Sequence, residues 1–471
     1  MASIPDRGLF CWEDLENLGD LKRLELVMEV IPDEPLMQVL ETERGHGRDD
    51  YTVRAMWNSL LAGVVFEHKS GASLRRELRR NDRLRWICGF DPLKEAEDAV
   101  PEAHNYTRFL KNLMRHQDEI DAIFDRLVEA LKEELPGFGQ HLATDSKAIE
   151  SHGRPRGKEE YEKLAEQQLE EGPDGRRDLD ADVGVKTYKG KRDDGTLYEQ
   201  VIKWFGYKLH LIVDADYELP VAYEVTRASR PDNQPAARMV EGLDTEHPDI
   251  LEICEALMAD KAYDDGKLIR QLWEGPDPDS PRHILPIIPK RDDWQGDDET
   301  RPLLEGADNI TYDCQGQIYC HCWKSGTRRE MVYWGYEKDR GTQKWRCPAA
   351  CYGCECESYE RCSEGKEYGR VVRVSRERDP RTFLPVARAS LKFERLYNKR
   401  TAVERVNSRL DVSFGFEQHF IRGQRKMRLR CSLALLVMLA MALGRIREKK
   451  AEGKEEATEP AAGIRSLVGA T

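Results

Sequence analysis

No stretch of this 471-residue chain reads as a membrane span. The most apolar run, LALLVMLAMAL at 433–443, is about half the ~20 residues a crossing helix needs, and it reads as a buried helix. No leader is expected either: MASIPDRGLF has no basic region followed by an apolar one. Twelve cysteines without such a leader imply reduced thiols or metal ligands in a cytoplasmic protein, not disulfides. Net positive charge is also missing. With 74 Lys and Arg against 87 Asp and Glu, the chain stands at −13, which excludes a uniformly basic nucleic-acid binder. The deficit is uneven, however. From Val371 to Lys450 there are about twenty basic residues against about seven acidic ones, an excess of roughly +13 that leaves roughly −26 on the rest. Such segregation suits a basic surface for DNA, the plain alternative being a solvated charged face.

The first half of the chain is helical in pattern. One helix is expected around Trp12–Glu29, and YTVRAMWNSLLAGVVF from Tyr51 forms another that ends near a turn at Gly71. SLRRELRRNDRLRWICGF reads as a single helix with arginines at 75, 76, 79, 80, 83 and 85. These either solvate an amphipathic face or meet DNA. A further helix starts at Asn105 with Thr107 as its cap, and Ile120–Leu135 is amphipathic and stopped by Pro136-Gly137. Residues 153–195 are polar and glycine-rich, a long surface excursion. Then come alternating strands at 205–214 and 219–229, a helix from Asn233 to Leu243, a strand to Asp260, a helix from Asp264 to Trp273 and a strand at 283–290.

Three carboxylates stand out. HLATDSKAI (141–149) places Asp145 on a short strand, and ALMADKAYDD (256–265) places Asp260 at the end of another. In LYNKRTAVERVNSRL (396–410), Tyr397, Arg400, Glu404 and Asn407 share one face of a helix, and Leu396, Val403, Val406 and Leu410 another. The Arg400–Glu404 spacing alone is also that of an ordinary exposed ion pair. Carboxylates from two strands and a helix are what holds hard divalent cations by oxygen, and two such ions about 4 Å apart can drive phosphodiester chemistry. Asp214 and Asp216 are assigned to a hairpin turn.

The order Asp145, Asp260, Glu404, with Y-x2-R-x3-E around the glutamate and D-x-x-Y from Asp260, resembles the DDE transposases of bacterial insertion sequences. The likeness runs from about Tyr51 to Gly444, and the series R-A-M…S-L-R-R-x-L-R…T-R-F is similar to the helical N-terminal domain of that group. The resemblance implies an α/β protein: a ribonuclease H-like catalytic core, an all-α N-terminal domain, and a cysteine-rich, β-rich insertion before the last catalytic helix. It further implies two Mg2+ (or Mn2+) ions at Asp145, Asp260 and Glu404, phosphate contacts from Tyr397 and Arg400, and added charge from Lys261. The implied activity is cleavage at the ends of the chain's own DNA element and strand transfer into target DNA. The implied partner is double-stranded DNA (terminal inverted repeats and target), bound by a homodimer that is nucleoid-associated on DNA, with no membrane partner. One departure is visible. The pattern ordinarily continues with a lysine seven residues past the glutamate; here that position is Asp411, and Arg409 is the candidate substitute.

The expected divisions are 1–136 (helical, for DNA binding and oligomerisation), 137–290 (first part of the core), 291–378 (insertion), 379–447 (last part of the core) and 448–471 (disordered tail). Within the insertion, Cys320, Cys322, Cys347, Cys351, Cys354, Cys356 and Cys362 are candidate ligands of structural Zn2+, the alternative being reduced thiols in a compact β-rich unit. Trp323, Trp334 and Trp345 either stack on an unpaired base or fill a core. Two rival functions share these residues: another ribonuclease H-like nuclease, and a catalytically decayed DNA-binding relative.

Overall fold

The computed structural model describes residues 10–45, 50–91, 93–153, 178–191, 196–277, 281–291, 294, 299–304 and 307–451. Helices fill the chain up to Glu134. The first one expected is two, Trp12–Glu16 and Asp20–Val30, parted at Gly19. The arginine-rich stretch is likewise two, Gly71–Arg80 and Asp82–Cys88. Asn81 breaks it by adopting extended backbone and capping the second helix through Leu84 N–H. Thr107 is not a cap: its hydroxyl donates to the Ala103 carbonyl inside the helix Ala103–Leu113, whose N-cap is Glu102.

The central sheet has six strands: β1 (His141–Glu150), β2 (Asp182–Lys191), β3 (Leu197–Asp214), β4 (Leu219–Arg227), β5 (Ala256–Ala259) and β6 (Leu285–Ile287). Their order is β2-β3-β1-β5-β6, with β4 also on β3. Pairings among β1 to β4 are antiparallel, and β1–β5 and β5–β6 are parallel. The two parallel joins follow crossovers that carry helices, Asn233–Glu246 and Pro248–Ile253 before β5 and Gly266–Glu274 before β6, as parallel pairing requires. Strand β2 corrects the expected surface excursion. Its alternating side chains are masked in the sequence by glycine and lysine, and Val183 and Val185 are about half exposed, so no buried stripe announces it. The rest of that excursion, at 154–177 and 192–195, lies outside the described residues.

Beyond β6, strands β7 (Arg301–Leu304), β8 (Ala307–Tyr312), β9 (Ile318–His321) and β10 (Arg328–Glu330) form a second sheet. Strands β11 (Val332–Glu337), β12 (Thr342–Arg346) and β13 (Val371–Ser375) form a third. This segment has its own small core around Ile310, Ile318, Trp345 and Phe383. The chain then returns to the main core through helices Leu391–Asn398 and Thr401–Val412.

The run at 433–443 sits inside a 28-residue helix, Gln424–Ala451, longer than its apolar part suggests. By length and composition this helix would suffice to cross a membrane, but 89% of its most apolar window is buried within the protein. It packs on Asp20–Val30, Val53–Val65, Gln117–Glu134 and β4, so a single hydrophobic core runs from Phe10 to Ile446 through helices and sheet alike. Gly444 permits the closest approach, since a Cβ there would lie 2.7 Å from the Leu26 carbonyl oxygen. Of the expected tail, residues 448–451 continue this helix and 452–471 lie outside the described residues.

Candidate active site

In the parallel register of β1 and β5, Thr144 pairs with Ala259, so the next residues, Asp145 and Asp260, emerge side by side at the middle of the sheet. Asp260 leaves its strand at once and accepts the Ala262 N–H at 2.7 Å, capping a short turn, Lys261–Tyr263. Asp145 accepts the N–H of Ser146 at 2.7 Å. Burial pushes the Asp145 carboxyl up to about 6, and the charge of Asp260 adds to this; Ser146 N–H, Lys186 and Arg400 pull the other way. Tyr263, the tyrosine of D-x-x-Y, is fully buried close by. Its hydroxyl is driven well above the usual range by burial and by the charges of Asp145, Asp232 and Asp260.

Glu404 arrives from the helix Thr401–Val412, whose buried face is Ala402, Val403, Val406 and Leu410. The stretch read as one helix is two. Ser390 caps Leu391–Asn398, and Arg400 is the N-cap residue of the next. The join stays close to helical, so the expected face survives the break. Arg400 donates to Glu404 Oε1 at 2.7 Å, stands 3.8 Å from Asp145 Oδ2, and lies over the Tyr397 ring at 5.5 Å. Asp145, Asp260, Glu404, Arg400 and Tyr397 are therefore gathered in one place.

Other expectations fare differently. Lys261 is exposed on the turn beside Asp260. Arg409, five residues past Glu404, pairs with Glu218, covers Trp12 at 4.5 Å and is 16% exposed. Asp411 meets Lys147, a residue the sequence reading passed over. The signal was there, because Lys147 is two residues from Asp145 and so on its face of the strand. Lys186 of β2 was missed along with its strand. Asp214 and Asp216 do serve the hairpin. Asp214 accepts from the backbone of Gly139, Asp216 and Tyr217, and Asp216 pairs with His141 and Lys399.

The basic block at 371–450 is corrected in part. Arg376 pairs with Glu274, Arg381 with Asp264, Arg405 with Glu218, Arg428 with Asp121, and Arg447 and Lys450 with Glu134. Much of its charge therefore ties the C-terminal elements to the acidic remainder. The N-terminal arginines behave alike, with Arg75 and Arg79 on Glu102, Arg80 on Glu77 and Arg85 on Asp82.

Two features mark the segment between β6 and the Glu404 helix. Cys320, Cys322, Cys347, Cys356 and Cys362 line one small cavity of about 20 Å³. Burial, with Cys347, Cys356 and Cys362 adding, pushes the Cys320 thiol up to about 12. Cys351 lies near Cys347, Cys354 is exposed, and all twelve cysteines are free of disulfides. Beside them opens a cleft of about 670 Å³ lined by Trp323, Trp334, Lys344, Arg346, Arg361, Lys366, Tyr368, Arg370 and Arg373. Arg346 stacks on Trp334 at 4.2 Å and Arg361 on Trp323 at 4.8 Å, while both tryptophans remain about half exposed. Trp345 instead fills the core and donates to Gln343.

Among the described residues, no three Asp, Glu, His or Cys side chains stand at metal-ligating spacing. The carboxylate donor set nonetheless fits hard divalent cations. It is all oxygen, two members are neighbours in register, and a cationic guanidinium already stands between the strand and helix carboxylates.

Residues 136–440 match the family model described as Transposase DDE domain, and residues 10–112 match the Transposase domain (DUF772). No curated protein matches the chain. The first match spans well over half the sequence and contains Asp145, Asp260 and Glu404, in a mixed α/β architecture that fits a ribonuclease H-like core. The chain belongs to the DDE transposases of insertion sequences, a family of DNA-cleaving transposition enzymes that use divalent metal ions.

Proposed function

We propose that Asp145, Asp260 and Glu404 are the catalytic carboxylates, and that they hold two Mg2+ (or Mn2+) ions for cleavage at the element's ends and strand transfer into target DNA. The observation that carries this reading is the adjacency of Asp145 and Asp260 across β1 and β5, with Glu404 bridged to Asp145 through Arg400. Such ions, when bound, would activate the attacking oxygen and stabilise the leaving one. The chain's own residues prepare the rest. Ser146 and Ala262 N–H groups fix one oxygen each of Asp145 and Asp260, which leaves the others for a cation. Arg400, packed on Tyr397, has a forked donor that can pass from Glu404 to a DNA phosphate. Lys261 adds charge beside Asp260.

On this reading residues 1–136 bind DNA and mediate homodimer formation, 137–290 and 379–447 make up the core, and 291–378 are an insertion that meets the DNA. Support for the last comes from the cationic cleft with its two Trp–Arg stacks, which suits unpaired bases and phosphates. The cavity lined by five cysteines supports a structural Zn2+ there, whose ligands would come from among these thiols. The test is cleavage and strand transfer on DNA carrying the element's terminal repeats, with intact and pre-cut ends. Metal-dependent nicking together with joining of pre-cut ends supports the reading. Nicking without joining would leave a nuclease of the same fold.

A further inference from the structure

Two ion pairs tie the Glu404 helix to the catalytic strand among the described residues. One is Arg400 on Asp145; the other is Lys147 on Asp411. Asp145 and Lys147 are two residues apart and share a face of β1, while Arg400, at the helix N-cap, and Asp411 are eleven residues, about three turns, apart and share a face of the helix. A slide or rotation of the helix would therefore disturb both pairs together. Lys147 is only 10% exposed, too covered to reach a DNA phosphate, and its second carboxylate neighbour, Glu417, is farther away at 3.7 Å. Asp411 is 25% exposed, its other oxygen has no partner, and burial raises its carboxyl against the pull of Lys147. The pair is thus partly desolvated, so removing one partner would leave the other's charge half-buried without compensation.

We propose that Lys147 and Asp411 are positioning residues that set the Glu404 helix against β1 and so fix the reach of Glu404 toward Asp145 and Asp260. This rests on the carboxylate reading above. Neither residue touches substrate; each acts through Glu404. The competing possibility is that the buried Val403, Val406 and Leu410, with Arg405 and Arg409 on Glu218, hold the helix and the pair merely neutralises itself.

Four variants separate these possibilities. Lys147→Met is expected to weaken Mn2+ binding to the DNA-free chain, measured by electron paramagnetic resonance, by about tenfold or more, and to lower single-turnover cleavage by ~100-fold. Affinity for end DNA should stay within about twofold, since no phosphate contact is lost. Lys147→Arg should retain both properties. The double change Lys147→Met with Asp411→Leu removes the uncompensated carboxylate, so it should recover thermal stability yet keep the defects in Mn2+ binding and cleavage. Recovery of wild-type Mn2+ binding and rate in the double variant would overturn the proposal, as would an unaltered Lys147→Met protein. Glu404→Gln is the control: if it cleaves normally, the carboxylate reading fails. If it is inactive while Lys147→Met is normal, only the positioning role fails.

Discussion

Asp145 carries opposing demands. A cation ligand must be ionised, but burial and the neighbouring Asp260 hold this carboxyl near 6, above its ordinary 3.8. The folded state therefore keeps a proton between about pH 4 and 6 that the unfolded chain has released, and stability falls as pH rises through that window. Asp145→Asn removes the opposition. It should abolish cleavage and yet raise unfolding stability at pH 7.5 by about 1–3 kcal/mol, read from denaturant midpoints. A destabilised, inactive variant would argue that Asp145 is structural. For the wild type, the apparent affinity of the DNA-free chain for Mn2+ should climb as pH rises through about 6 and then level off, since the cation competes with the Asp145 proton. Asp260→Asn and Glu404→Gln should also abolish cleavage with DNA affinity retained, because each loses charge without losing shape. Near-normal cleavage by either removes that residue from the site. Asp260 and Glu404 were legible because a strand end and helical spacing leave marks in sequence, whereas Asp145 lies in the middle of β1, which runs on to Glu150. Lys147 and Glu218 were not singled out, since a lone Lys or Glu acquires meaning only from the element packed against it.

Charge in helices and strands was harder to read than hydrophobic pattern. Counting arginines in 371–450 implied a free basic face, but a count does not reveal which acidic element each one meets, and Arg381–Asp264 and Arg428–Asp121 join residues more than a hundred positions apart. Strand β2 was hidden for a related reason: an edge strand with exposed valines buries no stripe. The segment 301–375 was expected to be β-rich from the family resemblance, while the roles of its tryptophans were decided only by packing. Trp345 is core, and Trp323 and Trp334 flank the cationic cleft. Replacing Trp323 and Trp334 together by Ala should cost roughly 1–3 kcal/mol per stacked base in affinity for DNA ends with unpaired nucleotides, and much less for blunt duplex. Equal losses on both substrates would make the cleft a general phosphate surface. The cysteine cavity has a separate test. Protein purified without chelator should contain about one Zn2+ per chain, and Cys320→Ser or Cys347→Ser should release it. A folded, metal-free protein would leave these thiols as reduced core residues.

For the whole molecule, the helix Gln424–Ala451 joins the N-terminal helices to the sheet in one hydrophobic core. Net charge then becomes a question of which cations remain uncommitted. Arg428 is paired with Asp121, whereas Arg425 and Lys426 are exposed at the start of the same helix, and Arg400 is 18% exposed within the carboxylate site. Binding to DNA should still weaken with salt, but with a slope set mainly by exposed cations such as Arg425 and Lys426, each neutralised phosphate contributing about 0.9 to the decline of log affinity with log salt. Arg425→Ala with Lys426→Ala should flatten that slope and weaken binding, with cleavage of bound DNA preserved. Arg400→Ala should lower the slope by no more than about 0.9, the share of one phosphate, while single-turnover cleavage falls by ~100-fold, because the contact it removes is aimed beside Glu404. Titrations of affinity against salt, paired with single-turnover rates on the same end DNA, separate the two classes. If Arg400→Ala altered only the slope, its bridge between Asp145 and Glu404 would be an ordinary surface ion pair, and Glu404 would have to find its place in the site without it.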